Sequence, residues 1–281
     1  MREIDVSEVT ALVSRLYQEA NFNLPPDVVA ALETALELEE SPMGREVLET
    51  LLKNAEIAAR ERVPLCQDTG LAAVFAEVGQ EVCFTGGPFR QAVDAGVAKA
   101  WEDGYLRASV VSSPCHDRAN TGDNTPAMLH TELVAGDGVR ITVLPKGAGS
   151  ENMSRLAMLK PAEGIAGLVD FVVDTVEKAG GNPCPPIFLG IGVGGTMDRA
   201  ALLSKLALLR PEGSPNPDER LARLELEIRD SVNALGIGPG GFGGSITCLG
   251  VALEEYPCHI ASLPVAVNIQ CNSARRATGS I

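Results

Sequence analysis

The sequence is poor in aromatic residues, which make up 4% of 281 positions, with one Trp and three Tyr. That scarcity argues against a nucleic-acid binder built on base-stacking platforms. Basic charge is also in short supply. Against 37 Asp and Glu stand 23 Lys and Arg, a formal net charge of −14. A surface of that sign repels phosphate backbones, so no nucleic-acid partner is expected. An anionic substrate would need a local cationic site against this field. No apolar run is long enough to span a bilayer, so no membrane association is expected. The opening Met1-Arg2-Glu3-Ile4-Asp5 lacks the apolar stretch of a secretory signal. Seven Cys are present, an odd number with no dense pattern and no Cys-x-x-Cys. A secreted disulfide framework is disfavoured, and a reducing cytoplasm with free or metal-bound thiolates is the expectation.

What the chain does have is ordinary globular composition, 45% hydrophobic and 21% charged, with 29 Gly and 18 Pro. That favours aliphatic packing and many tight turns. Apolar residues recur at helical spacing over 5–21, 26–40 and 42–62. Asp5 or Ser7 can cap the first of these helices, and Ser41 with Pro42 suits the start of the third. A strand at 71–78 and a helix at 88–102 follow. Residues 129–134 and 139–144 alternate on either side of a Gly-Asp-Gly turn, which predicts a hairpin. Helices are expected near 161–179, 197–209 and 218–234, and strands at 187–195, 245–253 and 259–270. The fold class expected is α+β, mixed β-sheets packed with helices. A single domain over 1–281 is the simplest account, with a helical N-terminal layer over about 1–62 and a catalytic portion over about 63–281.

The chemistry concentrates at breaks between these elements. Pro64-Leu65-Cys66-Gln67-Asp68-Thr69-Gly70 sets a thiol, an amide, a carboxylate and a hydroxyl side by side, between a residue that disfavours helix and one that permits a turn. Cys184, before Pro185-Pro186, and Cys271, at the end of a strand-like run, also sit at element edges. Three thiolates from distant parts of a chain can hold an iron–sulfur cluster with one iron open. On residue chemistry alone, a Cys-ligated zinc stands level with it. Cys83, Cys248 and Cys258 lie in or beside apolar runs and read as small buried apolar residues. Of the His, His259 is the best candidate for a polar site, while His130 reads as packed or surface. Gly190-x-Gly192-x-x-Gly195 matches a dinucleotide-binding pattern between a strand and a helix. No second parallel strand with a ribose-binding acid is evident, so an anion site at the helix start and glycines that merely allow close packing both stay open.

Taken in order, Cys66-Gln67-Asp68-Thr69-Gly70, Asp123-Asn124-Thr125-Pro126, the run from Lys146 through Asn152, Cys184-Pro185-Pro186 through Gly195, and Pro257-Cys258-His259 through Cys271 resemble the iron–sulfur class I fumarases. The chain is most similar to the separate α subunit of the two-subunit fumarase and L-tartrate dehydratase enzymes. The resemblance implies the fold of the N-terminal domain of those enzymes and a hydro-lyase activity, reversible hydration of fumarate to L-malate, with L-tartrate dehydration as the alternative. It implies that Cys66, Cys184 and Cys271 ligate a [4Fe-4S] cluster whose fourth iron is left to the substrate. It implies that Gln67, Arg107, Gly147 and Gly149 bind a dicarboxylate, and that Asp68 and His259 act in catalysis. Ala148 stands where the family pattern has Gly, which would strain the loop if that position needs positive φ. Single-chain members carry a second domain that completes the site. A β subunit, in an α2β2 heterotetramer, is therefore the expected partner. The competing reading from another class is a zinc- or nucleotide-binding module without turnover.

Overall fold

The computed structural model describes residues 1–281. Its first half runs through strand β1 (Arg2–Asp5), helices α1 (Val6–Phe22), α2 (Pro26–Leu38) and α3 (Pro42–Glu61), strands β2 (Leu71–Gly79) and β3 (Val82–Thr85), helix α4 (Phe89–Asp103), and strands β4 (Met128–Val134) and β5 (Val139–Lys146). The second half runs through the one-turn helix α5 (Ala148–Glu151), strand β6 (Arg155–Leu159), helix α6 (Gly164–Ala179), strand β7 (Ile187–Gly194), helices α7 (Met197–Ala207) and α8 (Glu219–Asn233), and strands β8 (Cys248–Tyr256), β9 (Leu263–Gln270) and β10 (Ala277–Ser280). The fold is α+β, as its periodicities predict. No helix is long and apolar enough to cross a membrane. Two compact units share the chain. One comprises Met1–Pro25, Asn54–Ala148 and Arg275–Ile281, and the other Pro26–Lys53 and Gly149–Ala274.

In the first unit, α1 and α4 cover a four-stranded sheet of order β10-β5-β2-β4. Asp5 caps α1 by accepting the Ser7 N–H at 2.8 Å. Alternate residues of β2 (Ala72, Val74, Ala76) and β5 (Val139, Ile141, Val143) meet Val13, Leu16 and Tyr17 of α1 and Val93, Val97 and Trp101 of α4 in one core. Each large aliphatic side chain so buried stabilises the unit by about 1.5–3 kcal/mol. Tyr17 is inside this core because its hydroxyl donates to the Ala73 carbonyl at 2.7 Å. The two helices approach closely at Gly96, where a Cβ would lie 2.7 Å from Val13 Cβ.

The expected hairpin does not form. β4 and β5 both pair with β2, β4 parallel and β5 antiparallel, so β2 lies between them. Their connection arches over the end of β2, and Gly79, Gln80 and Glu81 donate N–H groups to Gly138, Val134 and Gly136. Alternation specifies which face of a strand is buried, not which strand lies beside it.

In the second unit the sheet order is β6-β9-β7-β8. β7 and β8 run parallel, joined through α7 and α8, while β9 is antiparallel to β7 and β6 to β9. A parallel partner strand for β7 thus exists, contrary to the sequence expectation, which the Pro-rich segment after α7 obscured. The sheet is mixed, unlike the mostly parallel sheet of a dinucleotide fold. Gly190 and Gly192 allow α7 to lie directly on β7. A Cβ at either would sit 2.0 Å from the Ser204 carbonyl oxygen or 2.1 Å from that of Ala200. Close packing is the role of these two glycines.

Buried Glu39, after α2, ties down the glycine-rich segment before β8. Its carboxylate accepts the N–H groups of Ser41, Ser245 and Ile246 and the Ser245 hydroxyl at 2.8–3.1 Å. Burial alone would raise its pKa, but those donors together outweigh it and hold the carboxyl below its ordinary value. A depressed folded-state pKa gives stability that is present above the unfolded-state value and lost as pH falls through the folded one. Glu39→Gln is therefore expected to lower the urea midpoint near neutral pH and to flatten the midpoint's fall below about pH 4.5. An acid limb as steep as that of the unsubstituted protein would show that Glu39 is not its source.

Candidate active site

The segment Leu65–Gly70 in the first unit has neither helix nor strand of its own, so each backbone group needs a partner from elsewhere. Leu65 is anchored first. Its N–H donates to the Asn21 carbonyl at 2.9 Å and its carbonyl accepts from Asn54 Nδ2 at 2.9 Å, while its side chain is buried with Ala55 and Ala58. The Asp68 carbonyl accepts from Arg275 Nη2 at 2.9 Å. Thr69 Oγ1 donates to the Arg107 carbonyl at 3.1 Å and accepts the Arg107 N–H at 3.0 Å. The Gly70 carbonyl accepts from Asn124 Nδ2 at 3.1 Å. Gly70 has φ 84°, and a Cβ there would lie 2.7 Å from the Lys146 nitrogen, so only glycine permits the crossing with β5.

The loop so held presents its polar side chains in fixed positions. Cys66 is half-buried, and its sulfur accepts the Asp68 N–H at 3.4 Å. Gln67 is exposed, with Oε1 3.4 Å from the Cys66 sulfur. The Asp68 carboxylate accepts the Gly70 N–H at 3.0 Å and the Ala148 N–H at 2.7 Å. Gly147 is buried against that carboxylate, since a Cβ on it would lie 3.3 Å from Asp68 Oδ2. Arg107 is exposed, its backbone tied to Thr69. Cys66, Gln67, Asp68, Arg107 and Gly147 are thus drawn into one network. Ala148 opens the one-turn helix α5 and is not among the residues of positive φ. The strain its Cβ would have caused therefore does not arise.

In the second unit Cys184 and Cys271 are brought together by Asn272. The Cys184 carbonyl accepts from Asn272 Nδ2 at 2.7 Å and from the Asn272 N–H at 3.4 Å. Cys184 is exposed and has φ 56°, a left-handed conformation that costs a residue with a Cβ roughly 1–2 kcal/mol. The Asn272 bonds help hold it there, an arrangement typical of sites where geometry matters more than local comfort. Gly149 is exposed near the Asn182 carbonyl. His259 lies in a tight turn ahead of β9, not at the start of a strand as expected. Its Nδ1 accepts the Ala261 N–H at 3.1 Å and its carbonyl accepts from Ser262. With Tyr256, Thr196, Arg199 and Met158 it lines an open cleft of about 590 Å³.

The remaining Cys divide differently from their sequence neighbours. Cys248 is buried as expected, and burial pushes its thiol well above the ordinary range. Cys83 is only half-buried, and Cys258 is exposed, its sulfur donating to the Ser262 carbonyl at 3.3 Å. Cys258 is therefore no core residue. The apolar run it borders begins only with β9. His130 is packed, stacked on Phe75 at 5.2 Å between ring centroids.

Cys66, Cys184 and Cys271 lie outside any disulfide, at or beyond the ends of regular elements, and an N–H such as that of Asp68 on the Cys66 sulfur is the kind of hydrogen bond that tunes a cluster ligand. No group of three or more His, Cys, Asp or Glu is placed to hold a single metal ion.

Two residues outside the motif reading of the site prove central to it. Asn21 belongs to an amphipathic helix and carries no local signal. Arg275 is a basic residue in an otherwise unremarked tail. Asn124 did stand in a polar motif, and the structure gives it a task. It is fully buried at φ 62°, donates to Gly70 and accepts the Ser109 N–H at 2.8 Å.

The fumarate hydratase (Fumerase) family model matches residues 10–280. A Methanocaldococcus jannaschii protein provisionally named L(+)-tartrate dehydratase subunit alpha is 43% identical over 274 residues, covering 96% of each chain. L(+)-tartrate dehydratase subunit alpha of Escherichia coli is 34% identical over 280 residues, covering 97% of this chain and 90% of its own. The protein of the same name from Shigella sonnei has the same identity and coverage.

Asn124→Ala removes two buried hydrogen bonds and puts a Cβ without a local polar partner at positive φ. We expect about 2–4 kcal/mol of destabilisation. Asn124→Gly, which relieves the backbone strain but not the lost bonds, is expected to recover roughly 1 kcal/mol of that. Denaturant midpoints of the three proteins check both. Equal midpoints for all three would mean that Asn124 does not hold the loop.

Proposed function

The chain belongs to the fumarate hydratase family, and on that premise we propose that it is the α subunit of a [4Fe-4S]-dependent hydro-lyase that interconverts fumarate and L-malate with a separate β subunit. The observation that carries this reading is the family match over residues 10–280, which takes in every polar loop described above. Cys66, Cys184 and Cys271 are the cluster ligands in this reading. When bound, the cluster supplies a Lewis acid at the iron that no thiolate occupies.

The remaining work falls to the chain's own residues. Arg107 and Gln67, both exposed, and the backbone of Gly147 and Gly149 hold the substrate carboxylates. An Arg fork matches carboxylate geometry. Asp68 is oriented by two backbone N–H donors and keeps acceptor sites free for substrate. The Nδ1 of His259 is occupied as an acceptor, so a neutral imidazole there carries its proton on Nε2. Asp68 and His259 move the proton that accompanies departure or arrival of the hydroxyl. The β subunit supplies further cations and the base that takes the carbon-bound proton. The names of the relatives, each a subunit alpha, support an assembly with such a partner, here α2β2. Seven cysteines, none of them in a disulfide, support a reducing cytoplasm.

A second reading, dehydration of L(+)-tartrate by the same chemistry, is favoured by the relatives' names. One additional hydroxyl on the substrate needs only one or two altered contacts, and such contacts are worth enough to invert a preference.

Purified without oxygen together with its β subunit, the protein is expected to be brown, with broad absorption near roughly 400 nm and bound iron. Cys66→Ser is expected to lose most of that iron and the activity while circular dichroism still shows a folded chain. Full activity in an iron-free preparation would sink the cluster reading.

For the same complex, kcat/KM for L-malate is expected to exceed that for L(+)-tartrate by at least about tenfold, a difference of roughly 1.4 kcal/mol in transition-state binding. The opposite ranking would establish the tartrate reading in its place.

A further inference from the structure

Arg275 is the largest fully buried side chain in the molecule, 1% exposed. Its guanidinium makes two hydrogen bonds, Nη1 to Asn21 Oδ1 at 3.0 Å and Nη2 to the Asp68 carbonyl at 2.9 Å. Neither partner is charged, and Nε has no partner at all. A cation buried without a counter-ion is costly, because neutral acceptors only partly replace its hydration. Such a residue persists where its charge or its fork is needed. The Asp68 carboxylate is close by, since a Cβ on Gly147 would lie 3.3 Å from Asp68 Oδ2 and 3.8 Å from Arg275 Nη2. The carboxylate itself is engaged with the Gly70 and Ala148 N–H groups.

We infer that Arg275 is a positioning residue for the reaction, fixing the peptide that carries both Cys66 and Asp68 and placing a permanent positive charge beneath it. Two effects follow from the one contact. By holding the Asp68 carbonyl, the guanidinium sets the orientation of residue 68, whose N–H donates to the Cys66 sulfur at 3.4 Å and whose carboxylate faces the Ala148 N–H. A change there moves a ligand and a proton-transfer group together. The buried charge also favours whatever anionic state forms at this loop, whether a reduced cluster or a bound dicarboxylate, because low-dielectric surroundings strengthen such interactions. Asn21, as the second acceptor, fixes the plane of the fork. Lys could supply the charge but not two bonds in fixed directions. The inference rests on the hydro-lyase reading for its consequences in catalysis, while its geometric half stands on the apoprotein alone.

The test compares Arg275→Gln, Arg275→Lys and the unsubstituted protein, each with its β subunit. Amide exchange of the metal-free proteins comes first. Arg275→Gln is expected to speed exchange of peptides covering residues 66–70 by at least tenfold, with peptides from the second unit unchanged. After anaerobic reconstitution, its cluster midpoint potential is expected to move to a more negative value. Its kcat is expected to fall at least tenfold, with KM changed less. Arg275→Lys is expected to restore the potential but only part of kcat. A potential and kcat like those of the unsubstituted protein in Arg275→Gln would overturn the inference, even if thermal stability fell, because a merely structural role predicts that outcome. Should Arg275→Gln not fold, Arg275→Lys decides. Unchanged exchange and unchanged kcat in it would overturn the inference, while faster exchange with a retained potential would support it. If the unsubstituted complex binds no iron, the cluster reading falls by itself, and the exchange measurement still decides whether Arg275 holds the loop.

Discussion

A loop without helix or strand must find a partner for every backbone polar group, and that requirement governs the segment Leu65–Gly70. Its partners come from far along the chain: Asn21 from α1, Arg107 and Asn124 from the segment after α4, and Arg275 from beyond β9. Each is itself fixed by the core or by a second hydrogen bond. The loop is therefore only as well placed as the core of α1, α4 and the four-stranded sheet. The reactive groups on it inherit that rigidity. Precise placement matters because small errors in the position of a reacting group cost large factors in rate.

The second unit solves a related problem in a different way. Cys184 stands just past the end of α6, in a backbone conformation that residues with a Cβ avoid, and Asn272 satisfies its carbonyl twice. Asn272 also follows Cys271 directly, so a single residue ties the backbones at the two cysteines together. Glu151 shows the same economy. It pairs with Lys205 of α7 at 2.5 Å and accepts from Asn268 of β9 at 3.0 Å, which fastens the glycine loop that carries Gly149. The glycines of β7 contribute by having no side chain, since they let α7 settle onto the strand and leave the polar residues at the strand's end to the cleft around His259.

Much of the fold was legible in the residues because it depends on local physics. Helical spacing of Leu12, Leu16 and their neighbours, the Asp5 and Ser41 caps, and the break at Pro64 are short-range effects, and the structure bears each of them out. The pairing of β4 with β5 was misread because a Gly-Asp-Gly turn and clean alternation fit a hairpin and a crossover over β2 equally well. Cys258 was misread as core because proximity to an apolar run is not membership of it. The motifs did draw attention to Cys66, Asp68, Cys184, His259 and Cys271. The residues that hold them, Asn21, Asn272 and Arg275, do not announce themselves in the chain. Nothing in a side chain's neighbours says which distant carbonyl it will meet.

The sequence by itself determined the periodic elements, the acidic surface and the ordered set of polar loops that marks the family, because these are properties of residue type and spacing. Only the tertiary structure decided which strand lies beside which, that Ala148 opens a helical turn without strain, and that a guanidinium is buried beneath the Cys66 loop. Those outcomes depend on contacts between residues far apart in the chain. They are chosen by the packing of whole elements and by the demand that every buried polar group be satisfied.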